Sequence, residues 1–212
     1  MDAAPKVRPA ALARRTSHER GPAGRYDPGM SEGDGYRLRP ATVADAAVLA
    51  AQRRAMFEAM WSLEAEAAGA LEAATLSYLS RAVPAGEYRA WLIEQRGTPV
   101  CGGGVQLRPL VPRPGHLDGR PEALILSVWT EPAHRRRGLA TRVVGAILDG
   151  CRELGITRIT LHASDEGRRI YERLGFRQTN EMRLDAAGSG PAGPGAGGGS
   201  PEARPPDGGA AR

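Results

Sequence analysis

The stretch Arg135-Arg136-Arg137-Gly138-Leu139-Ala140 lies between a strand-like apolar run and an amphipathic helical pattern, and it constrains this chain more than any other segment. The run before it, Ala123-Leu124-Ile125-Leu126-Ser127-Val128-Trp129-Thr130, is closed by Glu131-Pro132 and predicts a strand. After it, apolar residues recur at Ala140, Val143, Val144, Ile147, Leu148 and Cys151, the spacing of one buried helix face. A basic, glycine-containing turn at a helix start gathers free backbone N–H groups and the positive end of the helix dipole. Such a place holds a phosphate or pyrophosphate. Gly138 lets the backbone come close to the anion, and the arginines add positive charge beside it. The candidate anion-binding residues are Arg135, Arg136, Arg137, Gly138, Leu139, Ala140 and Thr141.

Further along, Thr157-Arg158-Ile159-Thr160-Leu161-His162 alternates as a short strand does. The next segment, Ala163 to Phe176, reads as a helix that Ser164 or Asp165 caps and Gly175 ends. Ile170, Tyr171 and Leu174 fall on one of its faces.

These segments, in this order, resemble the GCN5-related N-acetyltransferase superfamily. Arg135, Gly138 and Ala140 fill the defined places of its acyl-CoA-binding pattern, Gln/Arg-x-x-Gly-x-Gly/Ala. Tyr171, Gly175 and Phe176 match its helix ending in Tyr-x-x-x-Gly-Phe, whose tyrosine faces the coenzyme sulfur. The resemblance covers residues 36–184 and is best matched over 122–176. It implies an α/β fold with a mixed sheet, helices on both faces, and the order β-α-α-β-β-β-α-β-α-β. It also implies acetyl-CoA as co-substrate, with backbone groups at Val128 and Thr130 holding the pantetheine arm as an added strand would. Tyr171 is then the general acid for the leaving thiolate. A general base, often an acidic residue near the central strand in relatives, falls to Glu122, with His116 and Asp118 in the connection expected to border the acceptor. Loss of the ammonium proton to solvent is the alternative that needs no base.

Away from these motifs the chain is read from composition. From Asp185 to Arg212, 14 of 28 residues are Gly or Pro, too little apolar surface to offset backbone entropy, so a disordered tail is expected. Residues 1–34 are similar and lack the apolar centre of a secretory signal, which leaves a domain at 35–184. No apolar run approaches the ~20 residues of a membrane span. Two cysteines, Cys101 and Cys151, argue against a disulfide framework and for a cytoplasmic setting. The four histidines show no metal-ligand spacing, so no metal is expected. The net charge of +5 raises nucleic acid as a partner, but the sharpest basic run already has an anionic ligand to explain it.

Within the domain, Tyr36-Arg37-Leu38-Arg39 reads as a first strand, and Thr42-Val43-Ala44-Asp45 as a capping box. An alanine-rich helix to Trp61 follows, with Val43, Ala46, Leu49, Ala50, Met56, Phe57 and Met60 as its buried stripe. A second helix covers Ala67 to Ala82; strands at Tyr88–Glu94 and Val100–Leu107 flank a turn at Arg96-Gly97-Thr98-Pro99.

The function expected is transfer of an acetyl group from acetyl-CoA to a primary amine, by direct attack in a ternary complex. No serine or cysteine stands in a nucleophile setting. The acceptor is left open between a small-molecule amine and a protein or peptide amine, and so is a homodimer. The rival reading is a non-catalytic acyl-CoA-binding regulatory or interaction module.

Overall fold

The computed structural model describes residues 35–184 apart from Gly115 and Arg183. The segments expected to be disordered, 1–34 and 185–212, lie outside the described residues. In chain order the elements are β1 (Tyr36–Pro40), α1 (Ala46–Met60), α2 (Ala65–Ala82), β2 (Tyr88–Gln95), β3 (Thr98–Arg108), β4 (Glu122–Thr130), α3 (Leu139–Glu153), β5 (Ile159–Leu161) and α4 (Asp165–Arg173). The strands form one five-stranded sheet in the order β1-β2-β3-β4-β5, antiparallel except for the parallel pair β4–β5.

Local chemistry accounts for the element ends. Arg96 and Gly97 join β2 to β3 with φ of 51° and 81°, the doubly left-handed turn that matches strand twist in a tight hairpin. The backbone N–H of Thr42 donates to Asp45 Oδ2 at 2.8 Å, the acidic half of the expected capping box. Ser164 caps α4 by accepting from the Gly167 N–H at 3.2 Å, and Gly175 follows the helix at φ 92°.

Each face of the sheet carries its own core. On one, Leu139, Val143, Val144, Ile147, Leu148 and Cys151 of α3 pack against Ile93, Cys101, Val105, Ala123 and Ile125. On the other, Ala46, Leu49, Leu79 and Ala82 of α1 and α2 pack against Tyr88, Ala90 and Leu92. The mixed sheet with helices on both faces is thus as expected. Two details differ. Val43 and Met60 are exposed, and the inner stripe of α1 runs instead through Ala46, Leu49, Ala50 and Gln52. The strand expected after Gly175-Phe176 is not formed: residues 177–182 carry no strand.

Three consecutive glycines in β3 let the layers close. A Cβ on Gly103 would lie 2.8 Å from Val143 Cγ1, and one on Gly104 would lie 2.1 Å from the Tyr88 hydroxyl. Gly104→Ala should therefore overpack a buried ring and cost about 1–3 kcal/mol, read as a lower denaturation midpoint with an unchanged slope.

A charge network pins β1 to β2 and to the start of α1. Arg39 Nη2 and Nε reach Asp45 and Glu94, each at 2.7 Å, and Arg37 reaches Glu94 at 2.8 Å. The Arg39 guanidinium lowers the Asp45 carboxyl from its ordinary 3.8 to about 2. A carboxylate with a depressed folded-state pKa stabilises above the unfolded value and loses that contribution as pH falls through the folded one. Stability should then drop between pH 3.8 and about 2. Asp45→Asn should be less stable at neutral pH and flatter across that window in thermal melts.

Candidate active site

The parallel pairing of β4 with β5 runs only from Ala123↔Ile159 to Ile125↔Leu161. From Leu126 to Thr130, β4 continues beside β3 with its other edge unpaired. Burial follows: the first four residues of β4 are buried, and Leu126, Ser127 and Val128 are half-buried. An unpaired strand edge offers N–H and C=O groups to an extended ligand. The sheet therefore forks at the level that the sequence assigned to Val128 and Thr130.

A bulge sits at the root of the fork. Between the pairs Gly104↔Leu126 and Gly102↔Trp129, both Ser127 and Val128 oppose Gly103. Ser127 takes φ 56°, left-handed backbone that costs a non-glycine residue roughly 1–2 kcal/mol. Its hydroxyl accepts from Arg53 Nη1 at 2.7 Å. With the bulge, Val128 packs against the α3 core, and Leu126 packs against the α1–α2 core.

The arginine turn follows directly. Pro132–His134 form a single 3₁₀ turn, Arg136 adopts φ 62°, and Gly138 adopts φ 75° as the N-cap of α3. No side chain caps that helix. The first helical bond runs from Arg142 N to Gly138 O, so the N–H groups of Leu139, Ala140 and Thr141 have no acceptor within the helix. Arg135 turns back: its Nε donates to Thr130 O at 3.1 Å, and its guanidinium lies 4.8 Å from the centre of the Trp129 ring. It fastens the turn to the end of β4. Arg136 and Arg137 are exposed and form no ion pair among the described residues. Uncapped N–H groups, a positive helix end and two free guanidinium groups suit a pyrophosphate.

Tyr171 is half-buried on α4, packed against the α3-side core and edge-on to Phe176 at 6.0 Å. Burial raises its phenol pKa. Among the described residues it has no hydrogen-bond partner.

Other sequence candidates lie elsewhere. Glu122 opens β4 at the closed end, about 20 Å along the strand from Val128. Its carboxylate accepts from Thr160 Oγ1 at 2.9 Å and stands 3.4 and 3.5 Å from Arg158 and Arg108. The buried carboxylate is thus engaged with two partly exposed arginines, at the end of the strand away from the fork. Asp118 pairs with Arg120, which donates to Gly155 O beyond the end of α3, so this part of the connection is tied far from the bulge. His116 bridges only to Arg113 in that connection. A cleft of about 610 Å³ between β1, β2 and the second half of α3 contains none of the predicted residues.

Burial pushes the Cys101 and Cys151 thiols up to about 11, so neither supplies a thiolate at neutral pH. No cluster of three or more metal-ligating side chains occurs among the described residues. No described helix is long and apolar enough to cross a membrane.

Sequence reasoning missed Ser127 and Arg53. The signal for Arg53 was available: it follows Ala46, Leu49 and Ala50 at helical spacing, a charge placed beside an inner face.

Residues 53–176, more than half of the chain, match the model of the Acetyltransferase (GNAT) family. The chain belongs to this family. Among solved structures, a GCN5-related N-acetyltransferase from Ralstonia eutropha is similar at 28% identity and TM-score 0.66, covering 73% of this chain and 100% of that one. A predicted acetyltransferase from Clostridium acetobutylicum, crystallised with acetyl-CoA, is 22% identical at TM-score 0.65, covering 71% and 96%. Glucosamine-6-phosphate N-acetyltransferase from Arabidopsis thaliana shares the fold at 18% identity and TM-score 0.51, covering 72% and 98%. The search of curated proteins finds no match.

For a GNAT chain the turn is the first feature to test. A Cβ on Gly138 meets nothing within 4 Å, so a substitution there perturbs charge and backbone rather than packing. Gly138→Asp should weaken acetyl-CoA at least roughly tenfold in calorimetric titration, because it sets a carboxylate against the pyrophosphate position. Gly138→Ala, carrying the backbone strain alone, should weaken it less.

Proposed function

We propose that this GNAT chain moves an acetyl group from acetyl-CoA to a primary amine by direct attack in a ternary complex. The observation that carries the reading is the junction of an unpaired β4 edge with an uncapped helix start, held together by Arg135. Peptide-like amides of an extended pantetheine arm pair with the Val128–Thr130 backbone. The pyrophosphate meets the N–H groups of residues 138–141, with Arg136 and Arg137 beside it.

The amine nitrogen forms a bond to the thioester carbonyl carbon, and the carbon–sulfur bond then breaks. Tyr171 gives its phenolic proton to the leaving sulfur and is reprotonated from water. Two carboxylates that bracket the strand are both occupied: Glu122 in its ion-pair cluster, and Glu131 accepting from Trp129 Nε1 at 3.0 Å. The amine therefore sheds its proton to solvent, and attack needs the neutral amine. With both thiols buried and protonated, an acyl-cysteine intermediate has no nucleophile.

Tyr171→Phe keeps the ring and its packing and removes the acidic hydrogen. Acetyl-CoA affinity should hold while kcat falls by roughly 10²–10⁴-fold, the usual contribution of general acid catalysis. An equal loss of affinity and rate would make the hydroxyl a positioning group. Turnover at the parental rate would end its assignment as the acid. Tight acetyl-CoA binding without turnover on any amine would end the enzymatic reading itself.

A further inference from the structure

Among the described residues, Arg53 enters the core side of the sheet without a carboxylate partner. Arg39, Arg54 and Arg158, also half-buried, each face one: Asp45 at 2.7 Å, Glu72 at 2.8 Å and Glu122 at 3.4 Å. Arg53 Nη1 donates instead to the neutral Ser127 hydroxyl at 2.7 Å, and its guanidinium lies 4.8 Å from the centre of the Phe57 ring. Burial pushes its pKa down, and the groups that offset this are the tyrosines Tyr88 and Tyr78. A desolvated guanidinium offers five donors and seeks a planar oxyanion. Among the described residues the Arg53 guanidinium has one hydroxyl acceptor and one aromatic face, and no oxyanion.

Its position gives this vacancy of charge a use. Ser127 is the bulge residue, one step of about 3.3 Å before Val128, at which the β4 edge becomes free. Tyr88 comes from β2 and lies buried at the same level, since the place of a Gly104 Cβ falls on its hydroxyl. Tyr78 of α2 packs edge-on against Tyr88 at 6.2 Å and accepts from Gln106 at 3.1 Å. On the α1–α2 side of the fork Arg53 and Ser127 are thus half-buried together over the buried Tyr88, while the coenzyme turn leads from the end of β4 into α3.

We propose that Arg53, with Ser127, seats an oxyanion on the acceptor, so that the substrate is a small amine carrying a carboxylate or phosphate a few bonds from its nitrogen. This rests on the acetyltransferase reading above. The oxyanion takes the Arg53 donors that the Ser127 hydroxyl now satisfies in part, and the short span from Ser127 to Val128 brings the amine to the thioester. Charge-assisted hydrogen bonds of this kind are worth roughly ten- to a hundredfold in kcat/KM.

The test measures thiol release from acetyl-CoA by the full chain with propylamine, β-alanine and 2-aminoethyl phosphate as acceptors. One or both anionic amines should exceed propylamine by roughly ten- to a hundredfold in kcat/KM, and the comparison between them shows which oxyanion the seat takes. Arg53→Gln should erase that preference mainly through KM, and Arg53→Lys should restore part of it; both variants are checked for a cooperative melt and acetyl-CoA affinity. Propylamine turned over as well as the anionic amines would overturn the oxyanion seat and leave the transferase reading standing. An anionic preference that survives in Arg53→Gln would equally remove Arg53 from the proposal. Failure of all three amines to turn over, with acetyl-CoA bound, is a different result: it strikes the transferase reading and the seat that depends on it.

Discussion

A single residue in left-handed conformation at the centre of the sheet organises the site. Ser127 at φ 56° inserts one extra position into β4 opposite Gly103. Three consequences follow from the period-two geometry of a strand. Leu126 and Ser127 fall on the α1–α2 side in succession, Val128 is delivered to the α3 side, and the pairing with β5 has already stopped at Ile125. A parallel strand cannot follow a partner whose register has slipped, so the fork and the bulge belong together. The strain of roughly 1–2 kcal/mol is offset by the Arg53–Ser127 hydrogen bond and by the space the β3 glycines leave.

The turn that ends β4 is fixed to the same strand. Arg135 stacks on Trp129 and donates to Thr130 O, and Trp129 donates to Glu131. The backbone edge and the helix start thus move as one body, which suits a ligand long enough to touch both. Charge is divided sensibly along that body. The anion-facing donors come mainly from the backbone, whose positions are set by α3, and the exposed Arg136 and Arg137 add attraction that salt will screen. Burying those two arginines would have strengthened each contact but required partners to offset their desolvation.

Most of this was legible in the sequence where periodicity and turn chemistry agree. Five of the six apolar positions read for α3, the Arg96-Gly97 turn, the Ser164 cap and the Gly175 stop read correctly, because each is a local rule expressed within one segment; Ala140 is half-buried, and Leu139 takes its place in the core. The bulge was not legible. Ala123 to Thr130 reads as one continuous apolar run, and nothing in it marks Ser127 as left-handed; only the opposing Gly103, distant in sequence, reveals the extra residue. The partners of Glu122 were not legible either, because a place at the start of a strand does not show which charges its neighbours bring. Its pairing with Arg108 and Arg158 depends on register across β3 and on the approach to β5. The expected last strand failed because its partner edge is short. β5 pairs over three residues only, and Arg177 to Met182 do not extend the sheet.

The chemistry then turns on where protons are held rather than on a nucleophile. Cys101 lies beside the fork, accepting from Thr130 Oγ1 at 3.2 Å, yet it is wholly buried, and that burial holds the thiol protonated. Tyr171 is only half-buried, its ring resting on Phe176 and the α3-side core while its hydroxyl has no hydrogen-bond partner among the described residues. Burial acts on both in the same direction, raising the pKa. A nucleophile must lose its proton, so burial disables the cysteine. A phenol is protonated at neutral pH in any case, so burial leaves Tyr171 holding the proton that the proposed transfer would use. Neither buried thiol is held as a thiolate at neutral pH, which supports the direct transfer proposed above.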